Sequence, residues 1–184
     1  MIQEEARFEQ MLAIYCAPVL KKYKVANMFH LDHDAFTDIQ HLTRLYQQKL
    51  NDKGISIKLL QSDLHRMTIF VYQKNRLSLW LKKKEIQQFL ADFHYPKEPL
   101  SKLFAHLDDR LHHCPSYPHE IGIFLGYPLS DVRSFCQRKP CLFQGYWNVY
   151  QYPQAAKRLF QLYDDCTHEL LSGLCHGHSI EQLI

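Results

Sequence analysis

The stretch "ISIKLLQSDLHRMTIFVYQ", residues 55–73, decides the fold, because most of the remaining chain carries helical periodicity. Its two runs, ISIKLL and RMTIFVYQ, are short and rich in β-branched and aromatic residues, and the polar QSDLH separates them. That pattern predicts an antiparallel hairpin with a loop longer than the tightest two-residue turns. GYWNVYQ, at 145–151, is a third strand candidate, and its pairing with the hairpin would close the fold over the intervening helices. The expected class is therefore α+β: one mostly helical domain with a small antiparallel sheet, made of a hairpin at about 55–73 and a strand at about 145–151.

Outward from the hairpin, apolar residues recur at steps of three and four. Phe8, Met11, Leu12 and Tyr15 predict a helix over 4–15, interrupted at Pro18. Phe36, Ile39, Leu42, Leu45 and Tyr46 predict a second over 35–50, ended by Asn51–Gly54. SLWLKKKEIQQFLADF reads as one helix, and Leu100, Leu103, Phe104, Leu107 and Leu111 mark another. Pro118 suits the first turn of a short helix over 118–125, and Pro128 opens one in which Leu129, Val132, Phe135 and Cys136 share a side. A long final helix is expected over 153–173.

Composition sets the bounds. A chain of 184 residues, 46% hydrophobic, can bury one substantial core. Six scattered cysteines do not form a disulfide framework, and the acidic start MIQEEARFEQ resembles neither a secretory signal nor a transit peptide, so a cytoplasmic protein with reduced thiols is expected. No segment approaches the roughly 20 apolar residues of a membrane span. A net charge of +3 is too small for a nucleic-acid footprint, and Lys82, Lys83 and Lys84 read as a solvated helix face. No nucleic-acid partner is expected, and the chain is expected to be a monomer or homodimer.

Twelve histidines make metal or proton chemistry worth testing. Cys136, Cys141, Cys166, Cys175, His176 and His178 could supply a four-ligand zinc site on paper, yet the short-spaced pairs of a zinc knuckle are missing. LHHC at 111–114 and FHLDHD at 29–34 do not match the two-histidine helical spacing of zinc hydrolases. Phosphate-loop, dinucleotide and nucleophile-elbow motifs are also missing, so the cofactor and metal stay open. Cys16 admits two readings. At the start of a new helix its thiol would be acidified, and at the end of the first it would not. His119 and Glu120 are the remaining candidates, placed just ahead of an apolar run.

The motifs YCAPVLKKYKVANMF (15–29), PHEIGIFLGYPLSDV (118–132) and GYWNVY (145–150), followed by a helix with AAKRLFQLY, resemble in order those of a bacterial family, domain of unknown function 3793. The resemblance implies membership, and an association with iron or redox physiology, but no activity or catalytic residue carries over. Tyr15 and Val19 stand where the family has histidine and threonine, which weakens any histidine-assisted thiol chemistry at Cys16.

Three functions remain open. The first is a small-ligand, metal or cofactor binding protein, with a pocket between the His119 helix and the GYWNVY strand and aromatic walls from Tyr146, Trp147 and Tyr150. The second is an enzyme using His119 and Glu120 as acid and base, with or without Cys16 as nucleophile. The third is an adaptor that meets a partner protein through an exposed aromatic surface.

Overall fold

A computed structural model describes residues 2–61, 66–113 and 117–184. The chain runs through α1 (Ile2–Leu20), β1 (Ala26–Asp32), α2 (Ile39–Asn51), β2 (Ile55–Gln61), β3 (Arg66–Gln73), α3 (Lys74–Leu81), α4 (Lys84–Ala91) and α5 (Leu100–His113). It continues through α6 (Ile121–Phe124), α7 (Leu129–Cys136), β4 (Phe143–Gln144), β5 (Asn148–Val149), α8 (Pro153–Cys175) and α9 (Ile180–Leu183). The α+β class is borne out. The hairpin's QSDLH loop, beyond Gln61, falls outside the described residues, as does Cys114 of LHHC.

β3 is the middle strand of a three-stranded antiparallel sheet in the order β1-β3-β2. Its burial is almost continuous because both faces of the sheet are covered. Ile69 and Val71 join Phe29, Leu31, Ile55 and Ile57 on one face, packed against α1, α2 and α8. On the other face Phe70, Ala26 and Leu60 meet the apolar sides of α3 to α7. Side chains alternate across the sheet, so one strand serves two cores.

The sheet's third strand is β1, and this corrects the expected pairing. Residues 145–151 do not reach the sheet. Asn148 and Val149 pair instead with Gln144 and Phe143 in a separate two-stranded ribbon, whose tip is Gly145, Tyr146 and Trp147. The ribbon packs on α8 in a third small core around Val149, Ala156, Phe160 and Tyr163.

Three helices also differ from expectation. α1 continues through Pro18 to Leu20, since the proline sits in the last turn, where its own carbonyl accepts from Tyr23 N (2.8 Å) and Lys24 N (2.9 Å). The single helix expected over SLWLKKKEIQQFLADF is broken at Lys83, whose backbone is extended (φ −59°, ψ 131°). The break turns Leu77 and Leu81 of α3 and Ile86, Phe89 and Leu90 of α4 into the same core. α2 begins at Ile39 rather than 35, where the Asp38 carboxylate accepts from His41 N at 2.8 Å, a cap worth about 1 kcal/mol. Among the described residues, no helix is long and apolar enough to cross a membrane.

Candidate functional site

The segment from Pro118 to Val132 reverses direction twice in a short span. α6 is a single turn whose start is tied by Ile121 N to the Pro118 carbonyl (3.1 Å). It ends in a left-handed cap: Gly126 has φ +77°, Tyr127 N bonds to Gly122 O (2.9 Å) and Gly126 N to Ile123 O (3.0 Å). The cap throws Tyr127 out across the front of α6, and Pro128 then starts α7. Opposite stands the ribbon tip. Tyr127 stacks on Trp147 (centroids 5.1 Å, 28°), and its hydroxyl donates to the Tyr146 carbonyl at 3.0 Å.

These two features, together with Met28 of β1, enclose a cavity of about 460 Å³. Its walls are largely apolar and aromatic: Tyr117, Tyr127, Phe135, Tyr146 and Trp147 all line it. This volume falls within the range of small-molecule sites, about 300–1,000 Å³. Tyr117 and Phe135 keep 44% and 40% of their surface exposed, so they present aromatic faces at the opening. The Trp147 ring is held edge-on by Phe160 (4.5 Å), while Tyr146 meets Tyr163 edge-on (5.1 Å) and donates to Asp164 Oδ1 (2.8 Å).

The six sequence candidates separate. His119, Tyr146 and Trp147 line the cavity, and His119 is exposed, edge-on to Phe135 at 4.9 Å. Glu120 faces the other way. Its carboxylate is 1% exposed and accepts from Arg110 Nε of α5 and from the Tyr95 hydroxyl (3.2 Å), so it ties α6 to α5. Burial, and then the adjacent Glu120 charge, push the Tyr95 phenol well above its usual range. Tyr150 contributes its backbone, donating to Asp131 Oδ1 at 3.2 Å. Cys16 lies in the first core with no exposed surface, far from the thiolate chemistry that an acidified thiol would need, and burial drives its thiol far upward.

Asp131 is the cavity residue that sequence reasoning passed over. It is 3% exposed, accepts from Trp147 Nε1 at 2.9 Å and from Tyr150 N, and lines both the main cavity and a smaller one of about 200 Å³ beside it. In the sequence it is merely an acid in the first turn of α7. Tyr127, Phe135 and Met28 were also missed as lining residues, because each reads as ordinary core. Outside the lining, Lys24 Nζ lies 5.0 Å from the Tyr127 ring centroid and donates to Asn27 Oδ1 at 3.0 Å. Lys24 is almost wholly buried, and that burial lowers its pKa to about 7.

Among the described residues no group of three or more His, Cys, Asp and Glu side chains converges to hold a metal, and Cys16, Cys136, Cys141, Cys166 and Cys175 are free thiols. No curated protein and no solved structure matches the chain. The family described as "Protein of unknown function (DUF3793)" matches residues 12–184, nearly the whole chain including every cavity residue, and the protein belongs to that family.

Proposed function

We propose that this protein binds a small, largely apolar molecule in the cavity between α6–α7 and the ribbon tip, and that binding rather than acid–base catalysis is its work. The observation behind this reading is the cavity itself: about 460 Å³, walled by aromatic side chains that are held by hydrogen bonds and ring contacts. Walls fixed before a ligand arrives reduce the ordering cost of binding. Acid–base chemistry by His119 and Glu120 has less behind it, since the two carboxylate contacts of Glu120 turn it into the packing while His119 opens on the cavity. We further place the protein in the bacterial cytosol, in keeping with its free thiols. The iron or redox setting rests on the family resemblance. Elemental analysis and visible absorbance of the purified protein test it, with bound iron, flavin or haem in its favour and a colourless, iron-free protein against it.

His119→Trp tests the binding reading. The position is exposed and on the cavity lining, so the larger ring should obstruct the cavity with little effect on folding. In a thermal-shift screen of small molecules, ligands that raise the melting temperature of the native protein should lose that effect in the variant. Ligands that stabilise both proteins equally would place binding elsewhere and remove the proposal.

A further inference from the structure

The cavity's chemistry is uneven in a way that selects among ligands. Five aromatic rings line it (Tyr117, Tyr127, Phe135, Tyr146 and Trp147), and Asp131 lines it with them, its carboxylate bonded to Trp147 Nε1. Among the described lining residues Asp131 carries the only formal negative charge, and no lysine or arginine lines the cavity. Resting on the proposed binding function, we propose that the ligand is a compact organic cation of the methylated-ammonium class, held against the ring faces with its charge toward Asp131.

Ring faces carry the negative lobe of the aromatic quadrupole, and a cation without N–H donors loses little by leaving water for such a surface. An anion would meet the charge of Asp131, itself only 3% exposed, with no lysine or arginine in the lining to offset it, which is unfavourable. Asp131 already accepts one hydrogen bond on each oxygen, from Trp147 Nε1 and Tyr150 N. An ionised carboxylate has about four acceptor positions, so its charge and spare lone pairs stay available to a neighbouring cation. His119 is a basic residue of the lining itself, His30 is edge-on to Tyr117, and Arg66 and Lys24 also lie near the cavity without lining it. Arg66 acts on the exposed Tyr117, and Lys24 lies against Tyr127. With its pKa lowered to about 7, Lys24 is neutral above that pH, and the test is set there.

The test compares phenyltrimethylammonium with tert-butylbenzene, its neutral isostere, in NMR titrations of the full-length protein at about pH 8.5. The uncharged aromatic probe dye N-phenyl-1-naphthylamine reports on the cavity independently. The expected result is that the cation binds at least about tenfold more tightly than the isostere, with ring-current shifts of its methyl protons. Asp131→Asn should erase most of that preference, read as the ratio of the two affinities within the variant. His119→Trp should abolish binding of both. If the isostere binds as tightly as the cation, or if only the dye binds, the cation assignment is overturned and the binding function stands. If neither compound nor the dye binds, both fall. The comparison of cation with isostere on the native chain is decisive even if Asp131→Asn does not fold.

Discussion

Glu120 and His119 are neighbours in the chain with opposite surroundings, and single substitutions should separate them. Glu120→Ala removes the buried carboxylate that ties Arg110 and Tyr95 to α6 and should cost about 2–4 kcal/mol. His119→Ala removes an exposed ring and should stay within about 1 kcal/mol of the native protein. Urea denaturation midpoints check both, and equal losses would place His119 in the packing rather than at the cavity. A helix opened by Pro118 puts Glu120 near its positive end, where an acid is favoured. The residue does stand at the N-cap of α6, but it makes no side-chain cap bond there. Its partner Arg110 comes from α5, across a connection that periodicity cannot fold, so the ion pair could not be read in advance. Asp131 was hidden for the same reason: its meaning depends on Trp147, sixteen residues away in the sequence. Cys16 is different, since both of its readings turned on whether Pro18 ends a helix. The helix runs on, and the thiol belongs to the core.

At the scale of the element, the clearest legible feature is the end of α6. Glycine followed two residues later by proline is the pattern of a left-handed cap, and Gly126 has φ +77°. Other helix ends use the same geometry without glycine: Lys22, His94 and Arg138 have φ values of 65°, 63° and 55°, and nothing in their identity announces it. Gly126 carries a second constraint, because a Cβ there would lie 2.2 Å from Val25 Cγ2, whereas one at Gly177 (φ +85°) would meet nothing within 4 Å. Gly177→Ala should therefore cost only the left-handed strain, about 1–2 kcal/mol, and Gly126→Ala at least twice that. Comparable denaturation midpoints for the two variants would mean that Val25 moves aside at no cost. Strand β1 was the illegible element. ANMFHLD alternates only weakly, because it is an edge strand with His30 exposed and Asn27 half-buried beside weak strand formers. GYWNVYQ had the better strand composition, but its aromatic residues serve a turn and a cavity wall rather than a ladder.

For the whole molecule, the buried Lys24 makes stability depend on pH in a direction that can be worked out. An unfolded lysine titrates near 10.4, and in the folded chain this one titrates at about 7. Between those values the unfolded chain holds a proton that the folded chain lacks, so stability rises with pH across the window. Below about 7 the ammonium is present in both states, and folding bears the full cost of burying it. Lys24→Met should thus be more stable than the native protein at pH 7, by roughly 1–3 kcal/mol, and the gap should narrow toward pH 10. Denaturation midpoints at the two pH values test this, and a gap that does not change with pH would refute it. At this scale the sequence conveyed the class and the hairpin at 55–73, since both follow from local periodicity. Which strand joins the hairpin is a long-range choice, and composition favoured the wrong segment. The same long-range character governs how the chain is made. Phe8, Leu12 and Cys16 of α1 share a core with Cys166, Leu170 and Ile180, and Glu9 finds its backbone partner Ile180 only 171 residues later. At ribosomal speeds of about 5–20 residues per second, the apolar face of α1 waits roughly ten to thirty seconds for its cover. A nascent chain in that state leaves the apolar side of α1 uncovered until α8 and α9 have been made, so the last residues synthesised decide when this core closes.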